Sequence, residues 1–174
     1  MTSDDIFISP VKCADAPELI RANQASRDYH APWAEPFTDE AGFDTWYGQI
    51  LTGPGLGFVA RHAQTREIVG LFTLSQIVWG VFRSAYLGYY GMKSHAGRGF
   101  MTASLKQVIA HTFSDIGLHR LEANIQPGNT ASIALARRAG FRREGLSPCY
   151  LKIAGQWRDH ERWAILATDS PIST

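Results

Sequence analysis

Cysteine is scarce in this chain, with Cys13 and Cys149 its two instances in 174 residues. They show no paired spacing with each other or with histidine, which argues against a disulfide framework or a thiolate metal site and for a reducing compartment; each reads as a small buried hydrophobe. Long apolar runs are missing too: nothing approaches membrane-spanning length, and the N-terminal MTSDDIFISP carries acids where a signal peptide has a basic flank. A cytoplasmic protein without a membrane partner is expected. Charge of one sign is not in excess, since 17 Lys and Arg stand against 16 Asp and Glu for a formal net charge of +1. That balance creates no whole-molecule field of the kind that gathers nucleic acid, and direct nucleic-acid binding is not expected. The six histidines, His30, His62, His95, His111, His119 and His160, lack ligand-type spacing, so no metal is expected either. The sequence has no repeats, low-complexity tracts or linkers, and a 45% apolar content over this length suits one domain, 1–174.

What is present is an alternation of elements. Residues 6–11 read as a first strand, and Asp15-Ala16-Pro17-Glu18 has the cap, early proline and acid that open a helix, here running to about Ser26. Residues 27–37 break it with two prolines and carry three aromatics, Tyr29, Trp33 and Phe37. Thr38 then caps a second helix, in which Phe43, Trp46, Tyr47, Ile50 and Leu51 recur at helical spacing and make one apolar face, read as core. Residues 57–62 and 68–74 are β-rich runs joined by a polar connection, an antiparallel hairpin, and residues 86–90 form a further strand. From Gly99 the period changes: Met101, Leu105, Val108, Ile109, Phe113 and Ile116 share a helical face that Gly117 closes. A strand at 120–125 follows, then a shorter helix opened by Asn129-Thr130-Ala131-Ser132 and stopped at Gly140. The tail, residues 141–166, has strand character on both sides of a turn at Ala154-Gly155. This order gives an α+β fold, a mainly antiparallel mixed sheet flanked by helices.

One stretch asks for more than packing. In Ser94-His95-Ala96-Gly97-Arg98-Gly99-Phe100-Met101, two glycines flank an arginine where a strand gives way to a helix. A tight turn accounts for them. So does a backbone kept bare for an anion, because the first turn of a helix has unpartnered N–H groups and the positive end of the helix dipole, and glycines let phosphate oxygens come close. Position 102 is Thr, not the third glycine of a dinucleotide fingerprint, and no Gly-Lys-Ser/Thr follows. On local grounds the two readings stand level.

The stretch resembles the Arg/Gln-x-x-Gly-x-Gly/Ala pyrophosphate motif of the GNAT N-acetyltransferases, and Asn129-x-x-Ser132 running to Gly140-Phe141 is similar to that family's second cofactor motif. Pro32-Trp33, Tyr86-Leu87-Gly88-Tyr89, Gly99-Phe100-Met101, His119-Arg120, Tyr150-Leu151 and Gly155-Gln156-Trp157-Arg158-Asp159-His160 extend the resemblance to the ribosomal-protein alanine N-acetyltransferase branch of RimJ and RimL, with RimJ the nearer of the two. About residues 6–166 are covered. The resemblance implies a GNAT fold, acetyl-CoA as donor, a splayed strand pair gripping the pantetheine arm, and transfer to an amine without a covalent enzyme intermediate; a homodimer is compatible with it. It implies cofactor contacts at Tyr90, Gly91 and Met92 on the splayed strand, at Gly97, Arg98, Gly99, Phe100 and Met101 in the loop, and at Asn129 in the second motif. Arg137 and Arg138 either face the CoA phosphates or lie solvated.

Departures from the family pattern bear on the chemistry. Ser94 stands where the first motif has Arg or Gln, which removes a long polar side chain and leaves the backbone donors. Ala136 stands where many GNAT enzymes have the tyrosine that protonates the departing thiolate; Ser132 matches the serine given that role in the RimL-like branch, and also reads as a plain helix-start serine. The branch's tail carboxylate falls near Leu151, so no base carries over, and Trp79 replaces a basic residue of the hairpin.

The reaction still needs a proton acceptor, because an amine attacks a thioester only when unprotonated. Glu122 is the candidate base: strand alternation sets Arg120, Glu122 and Asn124 on one face beside the expected splay, where an ion-paired carboxylate is the competing reading. Tyr150 and His160 border the acceptor side as proton relays or as strand packing. Tyr29, Trp33 and Phe37 shape the acceptor entrance or form a core lid. The function implied is acetyl transfer from acetyl-CoA to an amine, first the α-amino group of a protein N-terminus, second a small amine such as an antibiotic, polyamine or amino acid. A non-catalytic acyl-CoA-binding regulator is the alternative of another class.

Overall fold

The computed structural model describes residues 5–169. Its β-branched and aromatic runs assemble into one seven-stranded sheet: β1 (Ile6–Pro10), β2 (Leu56–His62), β3 (Ile68–Val78), β4 (Ser84–Gly91), β5 (Arg120–Ile125), β6 (Arg142–Ile153) and β7 (Gln156–Leu166), in the order β1-β2-β3-β4-β5-β7-β6. Neighbours are antiparallel except β4 and β5. Helices α1 (Ala16–Ala25), α2 (Arg27–His30) and α3 (Glu40–Thr52) lie between β1 and β2 in the chain, α4 (Phe100–His111) joins β4 to β5, and α5 (Thr130–Ala139) joins β5 to β6.

The sheet is buried on both faces. On one, Phe72, Leu74, Leu87 and Leu121 share a core with Leu105 and Val108 of α4 and Leu135 of α5; on the other, Leu19 of α1 and Phe43 of α3 pack with Val59 and Leu71. Each such side chain contributes about 1.5–3 kcal/mol through removal of apolar surface from water. The face of α4 read from the sequence is the buried one, and a wider turn at Thr112–Ile116 prolongs the helix to Gly117, whose φ of +80° only glycine adopts without strain.

The parallel contact between β4 and β5 is short, and that decides where a ligand can enter. It spans three positions, Ser84 with Arg120, Ala85 with Leu121 and Tyr86 with Glu122. Beyond them β4 continues along β3 as far as Gly91 opposite Gly70, while β5 continues along β7 as far as Ile125 opposite Glu161. Each strand keeps its outer partner and the two part from each other, so the expected splay is present.

Several local expectations are corrected. Asp39, not Thr38, caps α3, its carboxylate accepting from the Gly42 N–H at 2.8 Å. Asp15 occupies the cap position of α1 without capping it, because its carboxylate accepts instead from Lys12 N (2.7 Å) and Arg61 Nη2 (2.8 Å). Leu51 is 67% exposed and does not belong to the buried face of α3. Cys13 and Cys149 are exposed free thiols rather than buried hydrophobes. Trp79 is exposed in the connection between β3 and β4.

Candidate active site

A cleft of about 1410 Å³ lies at the splay. Its walls combine residues from both sides of the sheet: Met101, Lys106 and Gln107 of α4 and Ser132 and Arg138 of α5 on one side, Tyr29, His30, Trp33 and Ala34 on the other, with Tyr89, Tyr90, Asn124 and His160 between. Among the described residues no aspartate or glutamate lines it, and Lys106 and Arg138 supply its fixed positive charge. A cavity of that character suits a polyanion, since no described carboxylate in its walls repels it.

The glycine loop forms one end. Gly97 and Gly99 have φ of +72° and +76°, the left-handed conformation that favours glycine, so both are there for backbone geometry. Gly99 is the cap residue of α4 and accepts from Thr102 N and Ala103 N through its carbonyl, which leaves the amides ahead of them without an intrahelical acceptor. A Cβ built on Gly97 meets nothing within 4 Å, so the loop is open where it faces the cleft. Alternating left-handed glycines at a helix start make an anion-binding concavity, and the residues present fit a diphosphate. Met101 ties this end to the sheet, its side chain lying against Gly70 and Gly91, where any larger residue would collide with it.

Ser132 stands at the start of α5 because Asn129 caps that helix, accepting from Ser132 N at 3.1 Å. The serine hydroxyl donates to Tyr89 Oη at 3.0 Å, and that phenol lies 3.4 Å from the Ser132 carbonyl, its acceptor. Burial pushes the Tyr89 hydroxyl up to about 12, so it keeps its proton. Burial also raises Tyr90, whose hydroxyl accepts from Asn23 Nδ2 at 3.2 Å. Sequence reasoning missed Tyr89 as a functional partner: its place on β4 was legible, but its contact lies 43 residues further on.

On the opposite side, the segment around Trp33 is tied down at several points. Asn23 Nδ2 donates to Phe37 O (2.9 Å), Gln126 Nε2 to Trp33 O (3.3 Å) and Ala154 N to Glu35 Oε2 (3.1 Å). Trp33 packs against Gly128 at the β5–α5 connection, where an added Cβ would come within 3.0 Å of the indole. Asn124 Oδ1, buried at the splay, has no hydrogen-bond partner among the described residues. An orphan acceptor at the wall of a cleft is a place for a ligand N–H.

Most of the residues expected at the site are brought together: Tyr29, Trp33, Tyr90, Gly91, Gly97, Gly99, Phe100, Met101, Asn129, Ser132, Arg138 and His160 all line the cleft. Others are not. Glu122 is outside the lining, its carboxylate accepting from Arg120 Nε at 2.8 Å, the ion-paired arrangement. Arg137 lies over the Trp163 ring (5.3 Å), and Arg98 over that of Phe100 (4.6 Å). The Met92 side chain is buried in the core beneath α1 and α3. Phe37 lines a separate groove of about 620 Å³ beside α3, which meets the cleft at Ala34 and Tyr90. Tyr150 is turned to Tyr86, their hydroxyls 3.3 Å apart; that hydrogen bond, then burial, raises Tyr86.

A splayed parallel pair, a glycine loop opening the following helix and a capped second helix together define an acyl-CoA-dependent transferase. The acetyltransferase (GNAT) domain family matches residues 5–142, and the chain belongs to it. The probable N-acetyltransferase YjcK of Bacillus subtilis is 30% identical over 94% of this chain and 95% of its own. The [ribosomal protein uS5]-alanine N-acetyltransferase of Escherichia coli is 33% identical over 97% of this chain and 91% of its own. RimJ of Mycobacterium smegmatis, solved in complex with CoA-disulfide, superposes with a TM-score of 0.84 at 34% identity, covering 95% of this chain and 84% of that one. The spermidine N(1)-acetyltransferase of Vibrio cholerae is 28% identical over 63% of this chain and 62% of its own. The chain is therefore an acetyltransferase of the GNAT family with RimJ among its relatives.

Proposed function

We propose that the whole chain acts as one domain that transfers acetyl from acetyl-CoA to the α-amino group of a protein N-terminus, with donor and acceptor bound together. The observation that carries the reading is a cleft through the splay that has cationic residues on its α4 and α5 side and, among the described residues, no carboxylate in its walls. The first feature suits the CoA phosphates. The second suits an acceptor with a single amine, because a polyamine bound in a cavity needs carboxylates to replace its hydration. The uS5-alanine N-acetyltransferase among the relatives supports a peptide acceptor; the spermidine N(1)-acetyltransferase keeps a small amine as the second reading.

In this reading Gly97 and Gly99 present main-chain donors to the diphosphate, with Arg138 and Lys106 adding charge. Tyr90 and Gly91 border the pantetheine path. Asn124 Oδ1 accepts from an N–H of the acceptor or of the pantetheine, and Tyr29 and Trp33 wall the acceptor's approach. Ser132 turns its O–H from Tyr89 to the departing sulfur, and Tyr89, held protonated by burial, then donates its own O–H to the serine oxygen. Holding the two substrates in line contributes the entropic part of the acceleration.

Thiol release from acetyl-CoA, followed with peptides of varied N-terminal residue and with spermidine, tests the assignment. Turnover with α-amino peptides and little with spermidine is expected. Turnover with spermidine alone would favour the small-amine reading.

A further inference from the structure

We propose that His160 is the general base that takes the proton from the acceptor amine, an assignment that rests on the acetyl-transfer reading above. The amine's proton needs an acceptor, a side chain or a chain of waters, and no described carboxylate lines the cleft to supply one. Three histidines do, His30, His95 and His160. His30 donates Nε2–H to Gly91 O at 2.8 Å, so its lone pair lies on Nδ1, a buried atom with no partner among the described residues and no exposure to the cleft. The corresponding Nδ1 of His95 is also buried and without a partner; its Nε2 faces Glu67 at 3.7 Å, and the residue belongs to the phosphate end of the cleft. His160 differs. Its Nδ1 lies 2.9 Å from Arg158 O, and because a carbonyl only accepts, Nδ1 carries the hydrogen and Nε2 holds the lone pair.

The fold also fixes where that imidazole sits. His160 lies on β7 opposite Ser147, one residue before Glu161 closes the ladder with Ile125 at the open end of β5. The ring is therefore beside the mouth of the splay and is 3% exposed. Tyr150 of β6 packs against it with ring centroids 6.2 Å apart, and from β5 the uncharged Asn124 reaches the same wall. Across the cleft, α2 contributes Tyr29 and His30. Along its own strand, Asp159 is engaged by Cys149 N, and Glu161 by Arg143 and Trp163. As the amine nitrogen bonds to the thioester carbon, its surplus proton passes to Nε2. The C–S electron pair leaves on sulfur as the thiolate, which takes the Ser132 hydroxyl proton; the serine oxygen regains a proton from water, and the imidazolium returns its proton to water.

His160→Asn keeps a donor near the Nδ1 position for Arg158 O and removes the nitrogen at the ε position. With a peptide acceptor, kcat/KM should fall by about 10²-fold at neutral pH. The pH profile on the acid side should change shape and keep only the limb that the acceptor's own amine imposes, added imidazole should restore part of the rate, and CoA affinity measured separately should stay within about threefold. Near-wild-type kcat/KM with an unchanged profile, or an equal loss of CoA affinity, would overturn the assignment. If the variant does not fold, side-chain ¹⁵N–¹H correlation spectra of the wild type decide: the Nδ1–H tautomer supports the base, and an Nε2–H tautomer overturns it. No turnover by the wild type with any amine would instead bring down the acetyl-transfer reading, and the base with it.

Discussion

Polar residues at the cleft fall into two kinds, those such as Ser132 with a partner that orients them and those such as Asn124 whose buried acceptor is without one among the described residues. Ser132 is held twice, through its amide by Asn129 and through its hydroxyl by Tyr89. Ser132→Ala should lower kcat by about 10–100-fold with CoA affinity little changed, and Tyr89→Phe should reproduce a part of that loss, as stopped-time thiol assays on both variants would measure. Two buried histidines predict an acid limit to stability. Burial lowers His30 and His95 from the ordinary 6.5, so each stays neutral in the folded chain while its unfolded counterpart takes up a proton. Their contribution is complete above pH 6.5 and is lost as pH falls below that value toward the depressed folded-state pKa of each. His30→Gln, which retains a donor for Gly91 O without a titrating ring, should show a smaller drop in Tm between neutral and mildly acid pH than the wild type. Thermal melts across that range check it.

At the scale of elements, the loop between β4 and α4 is the proposed donor site, and its backbone geometry was legible in the sequence while its purpose was not. Left-handed glycines, a helix start and an open approach require only local chemistry, which is why Gly97 and Gly99 were legible without a structure. Gly97→Ala forces a side-chain-bearing residue into φ +72°, which costs about 1–2 kcal/mol, and sets a methyl group at the cleft mouth. A weakening of CoA binding by about tenfold, with a modest fall in Tm, is expected from CoA-dependent thermal shifts. What local sequence could not give was pairing across distance. Strand alternation set Glu122 on the same face as Asn124, but Arg120, two residues away on that face, claims its carboxylate. Arg137 turned to Trp163 on β7, and Tyr150 on β6 turned to Tyr86 on β4. The cap of α3 moved one residue, from Thr38 to Asp39, because both carry an acceptor oxygen and tertiary packing chose the register.

Across the whole molecule, catalysis depends on a sheet that fails to close. β4 is bound to β3 and β5 to β7, and their three shared positions end at Tyr86 and Glu122, so the opening is set by outer pairings that a ligand need not supply. One core supports α4 and α5, on the proposed donor side, and the other supports α1 and α3, on the proposed acceptor side. The order of elements and the two-motif pattern made this architecture readable from the sequence. The lack of carboxylates among the described residues of the cleft walls was not, because it depends on which side chains of seven elements meet in space. Calorimetric titration of the purified chain with CoA tests the central claim most directly. One saturable site per chain is predicted, with affinity falling as salt rises, because the glycine loop, Lys106 and Arg138 face a polyanion. A titration that shows no heat, with no protection of the protein against thermal unfolding, would contradict the account.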